Sequence, residues 1–275
     1  MILLDQDDYY KVITPLSKVT INNLFANAVV QGSAKGRIFV DTIQNPKTFY
    51  IIHPYGMALL FGESNNSKFN QEFKNYSLNV NKKRIKHEWL QVFPNTWDNI
   101  LLDLFKNDII NSKENINDTH NKIELNSRVN FKFNVNLYKK FKEKNIPKKL
   151  DIKSTNKNEY DNMKGSVIPS KFWNNSNEFL EKGVGFSLYH DNNLATTAFS
   201  AFITETKLEL GMETLPAFRG KGFAQYICSA LIDYCIENNY EPIWACRSEN
   251  IGSYKLAIKL GFEEEKVLPY FRLCK

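Results

Sequence analysis

The chain has 275 residues, 43% hydrophobic and 24% charged, so it is long enough for one large or two ordinary domains. Its formal net charge is +6, but the lysines are spread over a polar middle region without a recognisable nucleic-acid-binding module. We therefore expect no nucleic acid partner, and the mild positive field favours an anionic cofactor. No apolar run approaches the length of a membrane span, and the acidic start is unlike a signal peptide, so no membrane association is expected.

The four cysteines form no CxxC pair and show no metal-ligand spacing, so no metal site is predicted. Cys228 and Cys235 lie seven residues apart on one predicted helix, which is too far for a disulfide. Free thiols are typical of a reducing compartment, and we expect a cytoplasmic protein.

Apolar runs at residues 36–40, 48–53 and 57–61, separated by turn residues, predict a small antiparallel meander. Two helices are expected to follow. One runs through either 68–76 or 82–92, and the other through 97–105. No catalytic constellation appears in this part of the chain.

The composition changes over residues 106–165, which are rich in Asn, Lys, Asp and Ser. Residues 127–134 alternate and predict a strand, whereas the lysine cluster at 139–149 is typical of a solvated helix face leading into a linker. Pro147 lies in this linker. We predict an N-terminal α+β domain of unknown role over residues 1–145 and a second domain over 146–275.

The second domain is predicted to be an α/β fold with a mixed sheet, because three antiparallel strands are followed by a helix and another strand. The predicted elements are a helix over 171–180, strands over 185–190, 194–202 and 207–215, a helix over 222–237, a strand over 243–246, a helix over 251–260 and a final strand over 267–274, interrupted by Pro269.

Residues 215–224 lie where a predicted strand leads into a helix. Gly220 and Gly222 lack a Cβ, so an anion can approach the backbone, and the first turn of a helix has unpaired N–H groups. Arg219 and Lys221 add positive charge. This run predicts a phosphate-binding turn, with a tight turn that binds nothing as the alternative. Its spacing matches neither the Walker loop nor the dinucleotide fingerprint.

The sequence resembles the GCN5-related N-acetyltransferases (GNAT) at two separate motifs. Arg219-Gly-Lys-Gly-Phe-Ala224 fits the signature Q/R-x-x-G-x-G/A, and Asn250 with Gly261-Phe262 fits the later Asn…Gly-Phe signature. The resemblance implies a GNAT-type mixed sheet flanked by helices over about residues 170–275. The preceding meander faintly resembles a degenerate copy of the same architecture.

Further stretches are similar to a bacterial GNAT subgroup that carries an extra N-terminal domain and includes zwittermicin A resistance-type acetyltransferases. These stretches are residues 87–94, 209–214, 244–247 and 250–257.

The resemblance implies acetyl-CoA as the cofactor. Its pyrophosphate would be held by the backbone of the glycine turn and its pantetheine arm by the strand edge and the start of the last helix. The cofactor-binding residues implied are Thr214, Leu215, Arg219, Gly220, Lys221, Gly222, Phe223, Ala224, Asn250 and Ser253. Asn250 is also placed to cap that helix.

Transfer to an amine needs a base, because an alkyl ammonium has a pKa near ~10. Glu209 and Glu213 lie four residues apart on one predicted strand, so both point to the same face. The resemblance favours Glu209 as the general base and leaves Glu213 to orient the substrate ammonium. The alternative for both is an exposed strand carboxylate.

The general acid departs from the family pattern, since Ala257 stands where many members have a tyrosine. Tyr254, one helical turn earlier, is the candidate for contact with the thiol, together with Ser253. Core packing is the alternative for Tyr254.

The sequence thus predicts an N-acetyltransferase that moves an acetyl group from acetyl-CoA to a primary amine of a small molecule, by direct attack in a ternary complex. The alternative is a catalytically weak CoA-binding regulatory or scaffold protein. The oligomeric state stays open between monomer and homodimer.

Overall fold

The structure is a computed structural model that describes residues 1–82, 84–111, 119–144 and 150–275. The chain forms two compact units. The first unit contains residues 1–129, 247–249 and 266–275, and the second contains 130–246 and 250–265. The predicted domain boundary at residue 145 falls on residues 145–149, which lie outside the described residues.

The N-terminal elements alternate between strands and helices. They are β1 (Ile2–Leu3), α1 (Tyr10–Ser17), α2 (Leu24–Val30), β2 (Arg37–Val40), β3 (Thr48–Ile52), β4 (Met57–Gly62), α3 (Ser67–Ser77), β5 (Glu88–Phe93), α4 (Thr96–Leu104), β6 (Ile109–Asn111) and β7 (Ile123–Phe133).

The C-terminal elements contain the longest helix and the longest strand among the described residues. They are α5 (Val135–Lys144), β8 (Asp151–Ser154), α6 (Lys157–Asn162), α7 (Ser176–Lys182), β9 (Gly185–His190), β10 (Asn193–Ile203), β11 (Lys207–Thr214), α8 (Phe223–Glu237), β12 (Glu241–Arg247), α9 (Ile251–Lys259) and β13 (Phe262–Leu273).

In the first unit the predicted meander is confirmed. β1, β2, β3 and β4 pair antiparallel in that order, and β5 then pairs parallel with β4. Helix α3 confirms the first of the two alternatives for its position, and the second, a helix over 82–92, is wrong. Residues 88–93 form β5 instead, and Leu90 and Val92 are buried there. A short apolar run fits a buried strand as well as a buried helix, so the sequence pattern alone does not distinguish the two.

The core of the first unit is aromatic. Trp97, Phe73 and Phe105 are fully buried in one cluster with side chains from β3, β4 and β5. The indole N–H of Trp97 donates to the carbonyl of Gly62 at 3.1 Å, so helix α4 is fixed against the end of β4.

In the second unit β8, β9, β10 and β11 pair antiparallel in that order, and β12 pairs parallel with β11. Asp191 and Asn192 both have positive φ, 50° and 59°, so β9 and β10 join through a two-residue hairpin turn. Helix α8 packs on the sheet through Ile227, Leu231 and Cys235. The predicted mixed sheet flanked by helices is confirmed.

Two predicted elements of this unit have different bounds. The helix predicted over 171–180 starts later, since a 3₁₀ turn at Pro169–Lys171 is followed by α7 only from Ser176. The side chain of Asn175 accepts from the N–H of Glu178 at 2.9 Å and starts α7 there. Strand β13 begins at Phe262, earlier than predicted, and continues through Pro269.

The two units repeat one order of elements: four antiparallel strands, a helix, and a fifth strand parallel to the fourth. They differ where the fourth and fifth strands meet. Five residue pairs, from Met57–Trp89 to Phe61–Phe93, join β4 to β5. Only three pairs, from Lys207–Glu241 to Glu209–Ile243, join β11 to β12.

All four cysteines are free, as the sequence predicts, and the structure shows that all four are buried. Burial raises the pKa of Cys228, and it raises that of Cys235 to about 12. In the parts of the chain that the structure describes, no helix has the length and apolar content needed to cross a membrane.

Arg84 ties the chain end into the first unit. Its guanidinium is buried and donates to the carbonyls of Leu273 at 2.8 Å, Cys274 at 2.9 Å and Ser77 at 2.5 Å. Three backbone acceptors therefore depend on one side chain.

We predict that Arg84→Met lowers the free energy of unfolding by about 2 to 4 kcal/mol, because three buried carbonyls lose a charged donor. Urea denaturation measures the change. The exposed neighbour Lys86, changed to Met, is the control and should alter stability by less than about 0.5 kcal/mol. Equal losses in the two variants would contradict the assignment.

Candidate functional site

Strands β11 and β12 separate along their length. Their register ends at Glu209 and Ile243, although β11 continues to Thr214 and β12 to Arg247. Strand β10 stays paired with β11 as far as Thr214. Among the described strands, none pairs with residues 210–214 on the side of β12. We call this gap the opening.

The backbone of β11 is directed into the opening at alternate residues. The N–H of Leu215 donates to the carbonyl of Ala195 at 3.0 Å, so the odd-numbered residues of this strand face β10. By alternation the N–H and C=O groups of Met212 and Thr214 face the opening. Leu215 itself is engaged at both groups, since its carbonyl accepts from the N–H of Phe218 at 2.9 Å.

The glycine turn lies beyond the end of β11. A 3₁₀ turn, Pro216–Phe218, leads to Gly220 and Gly222, whose φ values are 78° and 79°, and α8 begins at Phe223. Side chains with a Cβ rarely adopt such positive φ values. A Cβ placed on Gly220 would meet no atom within 4 Å, so space is open beside the turn. The N–H groups of the first turn of α8 have no intrahelical acceptor, which suits an anion.

Arg219 turns back from the glycine turn towards β11. Its Nε donates to the carbonyl of Thr214 at 3.0 Å, and its Nη2 donates to Oε1 of Glu213 at 3.2 Å. The Arg219 side chain is 62% exposed, so part of the guanidinium still faces solvent. Lys221 lies over the ring of Phe218, 5.1 Å from its centre.

Glu209 and Glu213 are both buried, at 5% and 9% exposure, so neither is the exposed strand carboxylate of the alternative interpretation. Glu209 is the last residue of β11 that pairs with β12, where its partner is Ile243, and it lies opposite Phe202 on β10. It therefore lies where the opening begins.

Glu213 is held by several donors. Its Oε2 accepts from the N–H of Ser166 at 2.7 Å, from the Ser166 hydroxyl at 3.1 Å and from the N–H of Val167 at 2.9 Å. With Arg219 on the other oxygen, both carboxylate oxygens are hydrogen-bonded. Glu213 is thus fixed within the protein.

The start of α9 follows β12. The side chain of Asn250 accepts from the N–H of Ser253 at 3.2 Å, which confirms Asn250 as the cap of this helix. The Ser253 hydroxyl accepts from the indole N–H of Trp244 at 3.1 Å.

Tyr254 donates its phenolic proton to Oε1 of Glu264 at 2.5 Å, and this hydrogen bond raises the pKa of the phenol. Its ring packs edge-on against Phe131. Ala257, where many GNAT members have a tyrosine, is fully buried.

In the second unit, Glu209, the unpaired edge of β11 and the glycine turn therefore follow one another along the opening. Sequence reasoning missed Ser166 and Val167. Their contacts with Glu213 span 47 and 46 residues, and no local pattern marks them. The only sequence signal is the glycine that precedes them, Gly165, in a polar segment.

The chain is similar to known proteins in both sequence and fold. The family model described as GNAT acetyltransferase matches residues 14–271. The chain is 26% identical over 241 residues to the uncharacterized N-acetyltransferase YdfB of Bacillus subtilis, covering 87% of this chain and 86% of that protein.

Two solved structures are similar in fold over nearly the whole chain. A GCN5-related N-acetyltransferase-like protein from Streptococcus suis has a TM-score of 0.68 at 18% identity, covering 97% of this chain and 99% of that one. A tandem GNAT protein from the clavulanic acid biosynthesis pathway has a TM-score of 0.61 at 8% identity, covering 98% and 97%.

We predict that Gly220→Ala lowers the free energy of unfolding by about 1 to 2 kcal/mol, because residue 220 is held at positive φ while its surroundings leave room for a methyl group. Gly220→Asn is the matched control, since asparagine tolerates this conformation, and it should cost less than half as much. Urea denaturation of both variants gives the comparison. An alanine variant as stable as the wild type would contradict the backbone conformation of the turn.

Proposed function

This chain belongs to the GNAT acetyltransferase family, and from that premise we propose that it transfers an acetyl group from acetyl-CoA to a primary amine of a small molecule, by direct attack in a ternary complex. The observation that carries the proposal is the opening between β11 and β12. It has a buried carboxylate, Glu209, at its closed end and the glycine turn beyond its other end.

The turn and the strand edge suit the two parts of coenzyme A. The N–H groups at the start of α8, with Gly220 and Gly222 exposing the backbone, would hold the pyrophosphate. The exposed part of Arg219 adds charge there. The pantetheine arm contains amides, which can pair with Met212 and Thr214 as an added strand would.

Glu209 is the proposed general base. An alkyl ammonium has a pKa near ~10, so a carboxylate placed beside it is needed to remove its proton at neutral pH. Glu209 is 5% exposed, so the acceptor amine has to reach it on a narrow chain. This limit favours a slender small-molecule amine, such as an antibiotic or polyamine-like compound, over an amine on a broad protein surface.

Acetyl-CoA supplies the acetyl group as a thioester. The amine nitrogen forms the new bond to the acetyl carbon, the carbon–sulfur bond breaks, and its electron pair leaves with the sulfur. N–H groups on the open edge of β11 are donors for the charge that develops on the carbonyl oxygen. After the attack the nitrogen loses its second proton to become an amide. Tyr254 already donates its proton to Glu264, so in this proposal water carries the nitrogen's second proton to the thiolate.

The proposal predicts that the protein releases thiol from acetyl-CoA only when a suitable amine is present. Mixing the purified protein with acetyl-CoA and a panel of di- and polyamines, aminoglycosides and amino acids, and following the thiol with a colorimetric reagent, measures this. The acetylated product is identified by mass spectrometry. Binding of CoA without thiol release for any amine favours the scaffold alternative, and an absence of CoA binding rejects both.

We predict that Glu209→Gln lowers kcat by about 10²- to 10³-fold, because no group then removes the ammonium proton. The KM for acetyl-CoA should change little. The residual rate should rise with pH more steeply than the wild-type rate, since it depends on amine already deprotonated in solution. Steady-state kinetics from pH 6 to 9 measure both effects.

Glu205→Gln, in the exposed turn between β10 and β11, is the control and should keep the wild-type rate. Full turnover by Glu209→Gln across this pH range would remove Glu209 from the role of base.

A further inference from the structure

We infer that Glu213 is a positioning residue that couples cofactor binding at the glycine turn to the segment of residues 165–167 over the acceptor side of the sheet. The inference rests on the proposed function, because the glycine turn has to be where the cofactor binds. Glu213 contacts both parts: Oε1 accepts from Arg219 and Oε2 accepts from Ser166 and Val167.

The segment is fitted closely to this carboxylate. A Cβ on Gly165 would lie 2.6 Å from both Cγ and Oε2 of Glu213, and the φ of Gly165 is 156°. No residue other than glycine fits this contact without movement. Lys171 fixes the same segment from its outer side, with its Nζ donating to the carbonyl of Gly165 at 2.9 Å.

The segment and the residues after it cover the face of the sheet that carries Glu209. Glu209, Gly211 and Glu213 share one face of β11 by alternation. Their register partners on β10 include Phe202 and Phe199. The ring of Phe172 packs edge-on against both phenylalanines, at 5.5 and 5.6 Å between ring centres. Residues 165–172 therefore lie over the side of the sheet from which an amine approaches the proposed base.

Arg219 connects this arrangement to the turn. Its Nη2 is on Glu213 and its Nε is on the carbonyl of Thr214, which faces the opening. An anion bound at the turn interacts with the same guanidinium. Its binding energy must therefore depend on Glu213, and the order of the Ser166 and Val167 amides must depend on the anion, since coupling between two sites is reciprocal.

The test combines calorimetric binding of free coenzyme A with hydrogen exchange of the segment. In the wild type, coenzyme A should slow exchange at the amides of Ser166 and Val167. Glu213→Gln should raise the Kd for coenzyme A about tenfold, as expected for a lost hydrogen bond to a charged group, and should abolish the slowing. Glu237→Gln, an exposed carboxylate at the end of α8, is the matched control and should leave both readouts unchanged.

Arg219→Gln keeps Glu213 and its bonds to the segment, so it tests the coupling even if Glu213→Gln does not fold. At saturating coenzyme A it should bind and yet show no slowing at Ser166 and Val167. The conservative variant gives a further readout: Glu213→Asp keeps the carboxylate and should recover part of the lost affinity for coenzyme A.

Faster exchange in Glu213→Gln with an unchanged Kd for coenzyme A would reduce Glu213 to a structural role and overturn the inference. Unchanged exchange at Ser166 and Val167 when the wild type binds coenzyme A would overturn it as well, while leaving the proposed function intact. A wild type that does not bind coenzyme A would overturn both.

Discussion

The separation of β11 from β12 after the Glu209–Ile243 pair is the constraint on which the rest of the second unit depends. Backbone N–H and C=O groups on a strand edge need partners, and unpaired ones are costly when they are buried. Where two neighbouring strands of a sheet separate, the unpaired edge therefore offers a row of donors and acceptors to a ligand that resembles a strand. The glycine turn continues this row with N–H groups suited to an anion. The unpaired edge of β11 and the glycine turn together match a pantetheine phosphate better than either feature does alone.

The first unit shows what the same order of strands gives without that separation. β4 and β5 stay paired over five residue pairs, and the side chain of Trp97 caps the carbonyl of Gly62 at the end of β4. Gly62, the last residue of β4, has a φ of 96°, but a Cβ there would clash with the carbonyl oxygen of Lys47, so this glycine meets packed backbone and not the open space found beside Gly220. The first unit thus repeats the strand order, but its fourth and fifth strands stay paired and leave no opening between them. Repetition of the strand order alone does not create a cofactor site.

Local patterns predicted the features that depend on neighbouring residues. The helix start after Gly222 and the cap at Asn250 each follow from the conformational preference of one residue. The position of β5 stayed ambiguous, because a short apolar run fits a buried strand and a helix equally well. Strand pairing decided it, and pairing is set by residues far along the chain.

The two carboxylates of β11 show the same limit at the level of chemistry. Alternation predicts that Glu209 and Glu213 share a face, and both are buried, but their environments differ. Glu213 meets a segment that lies 46 and 47 residues earlier in the chain, which no local pattern could reveal. Donors on both of its oxygens fix it in place. Glu209 lies where β11 and β12 separate, which is where the proposed transfer needs a base. The surroundings of the two carboxylates therefore differ with their position along β11, which alternation alone does not predict.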